Sequence, residues 1–522
     1  MELKRENLQK YEDWYQLAIS LPGFSVPKIL EETKKAPSWI HFGGTDLFRA
    51  VLATMQQRLL NKELSQTGIV LVDRKEVLEK LYLPHDKLSL SVTCHGDGVR
   101  TTEVIASVAY VFDDQNLPGL QGIFAQDSLS FLSLTIGKEY YAWEKESMEK
   151  LFPMKKPNHP LGLLATLLYH HFKEQGTALT IATLDDLPKN GITLRNALME
   201  IAQFWLEQEQ VTQEFLDYLE NAILYPCSVL DKFVPPPSEA IKNCPEVKAL
   251  NLSTKTVQEE ERAAFFNTER PQYLFFENKF HENCPPLDKA GAFYVKRRDL
   301  RLVDALKNNY VWGPLEVSTF LFSQLLELSS MSEILESRDL LTLLQELLYE
   351  EGQAVMPEIK IFHAEEYIDE ILQVRLKNPL WNVNPKIYGE NLSQKIPLSL
   401  GVILKRYRLD EKDTSSLVAL PLVIAAWFRY LLGVSDQGKV YFCAPDPMLE
   451  ALQQDLKTVS FGKPETYQGQ LGPYLRDRRL FGANLENIGL ANAVEANFQK
   501  MILHNGAVKD RLLDEMNPFA VF

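Results

Sequence analysis

Cysteine is scarce. The chain has five cysteines in 522 residues, Cys94, Cys227, Cys244, Cys284 and Cys443, with no C-x-x-C pair among them. Such spacing gives no disulfide framework and no zinc ribbon, and it fits reduced thiols in a large intracellular protein. Long apolar runs are missing as well. The longest, residues 417–428, contains Pro421 and stops at Arg429, about a dozen residues where a membrane span needs about twenty, so a buried helix is expected there and no membrane span. The first residues, MELKRENLQKYEDWYQLAISLPGF, scatter charge throughout and lack the apolar centre of a signal peptide, which makes the cytoplasm the expected compartment. Basic excess is absent too: 55 Lys and Arg face 70 Asp and Glu, for a net charge of −15 and an isoelectric point near 5.3. That balance argues against nucleic-acid and anionic-membrane partners, and any anionic ligand must be met by individually placed Arg or Lys. No internal repeat or low-complexity tail is visible.

The most informative stretch that is present is the apolar run Trp39-Ile40-His41-Phe42 leading into Gly43-Gly44-Thr45-Asp46-Leu47-Phe48-Arg49. A strand that ends in glycines and opens a helix is how nucleotide phosphates are commonly held, because glycine admits close backbone approach and the helix start offers N–H groups. The following residues, Asp46 to about Leu60, carry apolar side chains at helical spacing. A second strand, Gly68 to Val72, ends on Asp73, an acid suited to the ribose hydroxyl pair of a dinucleotide. Adjacent Arg74 suits a 2′-phosphate instead, so NAD is expected and NADP stays open. The turn lacks the full G-x-G-x-x-G pattern, and an ordinary strand-to-helix connection also fits it.

From about residue 38 to 290 strand-like runs alternate with amphipathic helices: 68–72, 88–94, 104–111, 130–136 and 179–184 read as strands. That rhythm predicts an α/β fold with a parallel, Rossmann-like sheet. From about 297 onward helical periods dominate, at 315–328, 332–352, 364–376, 397–407, 416–432 and 447–456. The expected organisation is a dinucleotide-binding domain over 1–296 and a mostly helical substrate domain over 297–522, with the charged, Pro- and Gly-containing stretch 275–301 as the boundary. The segment 232–247, with Pro235-Pro236-Pro237, reads as a stiff connection within the first domain. His281-Glu282-Asn283-Cys284 precedes two prolines in a polar loop without a second ligand cluster, so no metal site is expected. The pair His170-His171 is expected to cap or pack the end of the helix that begins near Leu161.

Several ordered segments resemble the long-chain mannitol dehydrogenase family, in particular its hexuronate (fructuronate and tagaturonate) reductase branch. WIHFGGTDLFRA is similar to that branch's HFGAGNIFRA opening, and residues 83–90, LPHDKLSL, to its PHDNLSL. Asp185-Asp186-Leu187-Pro188-Lys189-Asn190-Gly191 resembles its DN…NG motif; RPQYLFFENKF and Lys289-Ala290-Gly291 also match. Arg375-Leu376-Lys377-Asn378-Pro379 resembles RFANP, Asn391-Leu392-Ser393-Gln394-Lys395 resembles DGSQK, and LRDRRLFGANLENIGL matches near the end. The resemblance implies a metal-independent, nicotinamide-dependent oxidoreductase interconverting a ketose or keto sugar acid with its polyol or aldonate. It implies cofactor contacts at Gly43, Gly44, Arg49, Asp73 and Asn190, and an anionic sugar positioned by Arg375 and Lys395.

In that family a lysine moves the proton while an asparagine and a histidine hold the reacting oxygen, in a K-x4-N-x2-H arrangement on one helix. Here the lysine falls on Asn308, one place from Lys307; the asparagine falls on Gly313 and the histidine on Glu316. Thr45 stands where the branch has a second glycine, Asp46 where it has asparagine, and Gly137-Lys138-Glu139 where it has Thr-Glu-Lys. Acid/base groups contribute roughly 10²–10⁴-fold each and an oxyanion donor about 10²–10³-fold, so these departures bear directly on activity. Three readings follow: a reductase with a rebuilt site using Lys307 or Glu316 as acid/base; a catalytically degenerate paralogue that binds a ligand or partner; and altered chemistry on the same scaffold, such as epimerisation with a retained cofactor. Asp46 is expected to be an N-cap, and also to bring negative charge close to a pyrophosphate.

Overall fold

The computed structural model describes residues 1–94, 99–155, 157–232, 234, 239–257, 260–269, 273–306, 419–434, 436, 438–440, 450–481, 484–508 and 510–511. Two compact units divide the chain, Met1–Arg301 and Leu302–Phe522.

The centre of the first unit is a six-stranded sheet, all parallel. Its strands are β1 (Trp39–Phe42), β2 (Ile69–Asp73), β3 (Val108–Asp113), β4 (Phe131–Leu134), β5 (Leu179–Thr183) and β6 (Ile223–Leu224). They lie side by side in the order β3-β2-β1-β4-β5-β6. This is the doubly wound dinucleotide-binding order, in which the chain turns back between the first and fourth strands. Side chains alternate across the pleat. Ile40, Phe42, Val70, Val72, Leu132 and Leu134 enter one core, beneath the helices Pro160–Glu174 and Asn190–Glu207. Trp39, Ile69, Leu71 and Phe131 enter the other, with Phe48 and Leu52 of the helix that follows β1. Both faces being covered explains why β1 and β2 read as unbroken apolar runs rather than alternating ones.

The expected strand 104–111 is two strands belonging to different sheets, Arg100–Ile105 and β3. The chain changes sheet at Ala106-Ser107, where the Ala106 N–H donates to Gln57 Oε1 (2.7 Å) and Ser107 Oγ donates to the Ala53 carbonyl (2.6 Å). Burial on both sides of the break hid it from the hydropathy pattern. Likewise Ser89–Cys94 is not in the parallel sheet: it pairs antiparallel with Arg100–Ile105 and parallel with the distant Phe265–Glu269. The stretch 275–301, read from composition as a boundary, is folded into the first unit. Tyr273–Glu277 pairs with both Ser228–Asp231 and Ala292–Val295, and Leu274, Phe276, Leu287 and Ala292 join the core around Trp39.

In the second unit the regular elements among the described residues are helices, with isolated β-bridges at Val434–Val440 and Ser460–Lys463. The apolar run near 417–428 is the helix Ala419–Tyr430, buried through Leu422, Ile424, Trp427 and Phe428. It packs on Ala491–Met501 and ends on a buried Arg429, whose guanidinium donates to the Met501 and Val434 carbonyls. Expected helices between 315 and 407 lie outside the described residues. No helix among the described residues is long and apolar enough to cross a membrane.

Candidate functional site

At the carboxyl ends of the parallel strands, where the order reverses, lies a cleft of about 440 Å³, within the range of small-molecule sites. Phe42, Gly43 and Thr45 reach it from β1, Asp73 and Arg74 from β2, Asp114 and Gln115 from β3, Thr135 to Gly137 from β4 and Asp185 from β5. Its far wall is Tyr140 and residues 157–160, and Arg262 lines it from the hairpin Lys255–Val257/Glu260–Arg262.

Gly43 has φ +98°, and a Cβ built on it would overlap the Thr135 carbonyl oxygen. Glycine is therefore required twice over, by conformation and by the approach of β4. Its carbonyl accepts from Thr135 Oγ1 (2.8 Å) and His41 Nε2 (2.9 Å). His41 Nδ1 accepts from Ser133 Oγ (2.7 Å), which in turn accepts from the Trp39 indole N–H (2.8 Å). Since the Gly43 carbonyl can only accept, Nε2 carries the proton, which leaves Nδ1 to accept from the Ser133 hydroxyl. His41 also stacks on Phe48, with ring centroids 4.0 Å apart.

Burial lowers the His41 pKa to about 3. The sign of the consequence follows. The unfolded imidazole takes up a proton near pH 6.5, whereas the folded one refuses it until about pH 3, so its contribution to stability is complete above about 6.5 and is lost as pH falls. The slope reaches about 1.4 kcal/mol per pH unit, or about 2 kcal/mol by pH 5. Comparison of urea midpoints at near-neutral and mildly acid pH should show a drop that is reduced in His41→Gln; the same drop in both proteins would remove His41 as its source.

Thr45, not Asp46, caps the helix: its Oγ1 accepts from the Phe48 N–H (3.2 Å). Asp46 occupies the first helical position, and its carboxylate is held by Arg49 at 2.5 Å. The negative charge expected to oppose a pyrophosphate is thus already paired. Arg49 is 1% exposed, donates to the Ala263 carbonyl (2.6 Å), and has its guanidinium over the Phe266 ring. It begins a π-helical turn, Arg49–Ala53, and Thr54 Oγ1 donates to the Arg49 carbonyl (2.9 Å).

Gly44 lies just beneath the cleft, its N–H on Asp73 Oδ2 (2.6 Å) and its carbonyl accepting from Tyr82 (3.0 Å). Asp73 Oδ1 accepts from the Arg74 N–H (2.7 Å). Burial raises the Asp73 pKa, against those N–H groups and the charges of Arg74 and Arg262. On the β5 side, Asp185 accepts from the Gly137 N–H (2.9 Å), Tyr141 (2.7 Å) and Thr183 Oγ1 (2.9 Å). Burial and the Asp185 charge keep the Tyr141 phenol well above its ordinary pKa. His159 caps the helix Pro160–Glu174 by accepting from the Leu161 N–H (3.2 Å), and burial lowers its pKa to about 4. It therefore faces the cleft as a neutral ring at physiological pH.

The structure brings Gly43 and Asp73 together on the cleft with Gly44 directly behind them. Arg49 and Asn190, expected to touch cofactor, do not line it. Asn190 is buried beneath Asp185 with every amide position used, because three carbonyl and hydroxyl acceptors and two N–H donors converge there. Lys307, Glu316, Arg375 and Lys395 lie outside the described residues. Sequence reasoning missed Thr135, Tyr140, His159 and Arg262, which sit 90 or more residues from Gly43 and carry no local motif; only the strand order could have indicated Thr135. His171 is packed as expected, accepted by the Phe124 carbonyl at 2.6 Å. Among the described residues no cluster of three metal-ligating side chains occurs.

Strand order, the reversal point and the glycine turn define a Rossmann-type dinucleotide-binding fold. Sequence profiles described as the mannitol dehydrogenase Rossmann domain and C-terminal domain match residues 37–264 and 320–502. The chain belongs to the mannitol dehydrogenase family. It is 33% identical to the D-mannonate oxidoreductase of Thermotoga maritima over 98% of each chain. It is 25% identical to the mannitol 2-dehydrogenase of Phaeosphaeria nodorum, covering 86% of this chain and 78% of that one. A D-sorbitol dehydrogenase in substrate-free form shares the fold with a TM-score of 0.71 at 19% identity, covering 94% of this chain and 97% of the other. Pseudomonas fluorescens mannitol 2-dehydrogenase, in a ternary complex with NAD and D-mannitol, does so with a TM-score of 0.62 at 19% identity, covering 99% and 100%.

Proposed function

We propose that this protein is an NAD-dependent oxidoreductase that interconverts a keto sugar acid or ketose with its aldonate or polyol, a fructuronate- or tagaturonate-like acid being the expected substrate. The observation that carries the reading is Gly43 pressed against Thr135 at the reversal point of the sheet, with Asp73 at the end of the neighbouring strand in the same cleft. The full-length similarity to a D-mannonate oxidoreductase supports the sugar-acid class. When bound, the nicotinamide cofactor supplies or accepts the hydride. Gly43 admits the close approach of the phosphates, Asp73 holds ribose hydroxyls, and Thr135 and the His41 chain keep the turn in shape. The helical domain, 297–522, carries the substrate side: Lys307 or Glu316 moves the proton to or from the reacting oxygen, and Arg375 and Lys395 hold the carboxylate of the sugar acid.

Titration of the purified protein with NADH and NADPH, followed by fluorescence or calorimetry, tests the cofactor site without a guess about substrate. Micromolar binding is expected; no binding at millimolar cofactor would overturn the reading. In that event the second reading stands, a catalytically degenerate paralogue, which is favoured by Gly313 and Glu316 at the family's asparagine and histidine positions. In the active reductase, Lys307→Ala is expected to lower turnover by roughly a hundredfold or more. Unchanged turnover would take Lys307 out of the mechanism and leave Glu316.

A further inference from the structure

Outside the cleft, one corner of the first unit gathers positive charge although the chain as a whole carries −15. Lys4 and Arg5 come to it at the start of the 3-10 turn Arg5–Gln9, His85 and Lys87 from the turn Leu83–His85 and the residues after it, and Lys255 from the hairpin strand Lys255–Val257. None of them lines the cleft. Among the described residues, Asp86 is the one carboxylate whose charge acts on Arg5, His85 and Lys87. Its oxygens are already engaged: Oδ2 accepts from the Arg5 backbone N–H (3.0 Å), and Oδ1 lies 3.9 Å from Lys4 Nζ. The Arg5 guanidinium and the Lys87 ammonium have no hydrogen bond or ion pair among the described residues, and Arg5 Nε is shut away from solvent as well.

Burial lowers the pKa of both groups, and the Arg5 charge lowers that of Lys87 further. The backbone adds to this cost. Asp86 and Lys87 have φ +50° and +67°, two left-handed residues in succession. Aspartate tolerates that region through its short polar side chain. Lysine has no such advantage, and the similar family segment PHDNLSL has asparagine, a more tolerant residue, in place of Lys87. Two like charges, partly stripped of water and held together on a strained turn, oppose folding by themselves, and a doubly negative group between them reverses the sign. Arginine offers a planar fork and lysine a point charge, a pairing that suits the oxygens of a phosphate. We propose that Arg5 and Lys87, flanked by Lys4 and Lys255, form a phosphate-binding site separate from the dinucleotide cleft, for inorganic phosphate or a small phosphate monoester. It stands whether or not the protein binds a nucleotide.

Calorimetric titration of the whole protein with inorganic phosphate and with glucose 6-phosphate, in chloride buffer of constant ionic strength, tests it without recourse to turnover. Saturable binding in the millimolar range or tighter is expected, and the tighter of the two probes tells free phosphate from an ester. Arg5→Gln and Lys87→Asn should each weaken that binding by roughly tenfold, the loss expected for a charge-assisted hydrogen bond. Asparagine suits φ +67°, so Lys87→Asn is expected to fold and decides the matter if the partly buried Arg5 cannot be replaced. Failure of the parent to bind either probe at tens of millimolar overturns the site. Parent-like affinity in Lys87→Asn overturns it too, since the phosphate would then lie elsewhere, for example at the Gly43 turn.

Discussion

Gly43→Ala is expected to lower stability by about 3 kcal/mol and to remove measurable NADH binding. Two costs add. Alanine at φ +98° pays roughly 1–2 kcal/mol for leaving the allowed region, and the new methyl must displace the Thr135 carbonyl, a backbone group with no rotamer to change. Overpacking of that kind costs typically 1–3 kcal/mol. The displacement also falls where cofactor phosphates would lie, since Gly43, Thr45 and Thr135 share the cleft wall. Thermal unfolding and an NADH titration read the two effects separately. An alanine variant that melts and binds like the parent would show that the turn is not the phosphate site.

Asn190→Ala is expected to destabilise the first unit by about 3–5 kcal/mol, although Asn190 does not itself line the cleft. Asn190 Nδ2 donates to the Thr183 carbonyl (3.1 Å), the Asp185 carbonyl (3.2 Å) and Ser228 Oγ (2.9 Å), and Oδ1 accepts from the N–H groups of Gly191 and Ser228 (both 2.9 Å). At 3% exposure, truncation leaves these partners without water to replace the amide. Each buried group left unpaired costs about 1–3 kcal/mol, reduced where partners such as Ser228 Oγ and the Thr183 carbonyl bond each other. Asn190→Asp sharpens the test. A carboxylate there would face two carbonyl oxygens, so its folded pKa would rise above the unfolded value of about 3.9, and its deficit would shrink as pH falls through the folded pKa. Urea midpoints for the three proteins across pH decide it. A loss below about 1 kcal/mol for Asn190→Ala would mean that the connection between β5 and Ser228 is held by other contacts.

Asn190 also shows how motif reading and tertiary structure divide the work. Its place in a family-like segment marked it as important, and the structure gives that importance a supporting cause: it holds the turn that aims Asp185 at Gly137 and Tyr141. Arg49 is parallel. The resemblance implies a cofactor contact there, but the side chain is buried against Asp46, Ala263 and Phe266. In both, the family resemblance implied contact with the cofactor, while the structure buries the side chain among protein partners away from the cleft lining.

The parallel α/β class, the glycine turn after Trp39–Phe42, the acid at the end of the second strand and the helix at 419–430 were determined by the sequence itself, because each depends on local periodicity or on one backbone conformation. Tertiary structure alone decided the split of 104–111 between two sheets, the recruitment of 275–301 into the first core, and the arrival of Thr135, His159 and Arg262 at one cleft. Those outcomes rest on pairings between residues tens to hundreds of positions apart. A linear hydrophobic pattern records that such residues are buried, and it carries no record of what they are buried against.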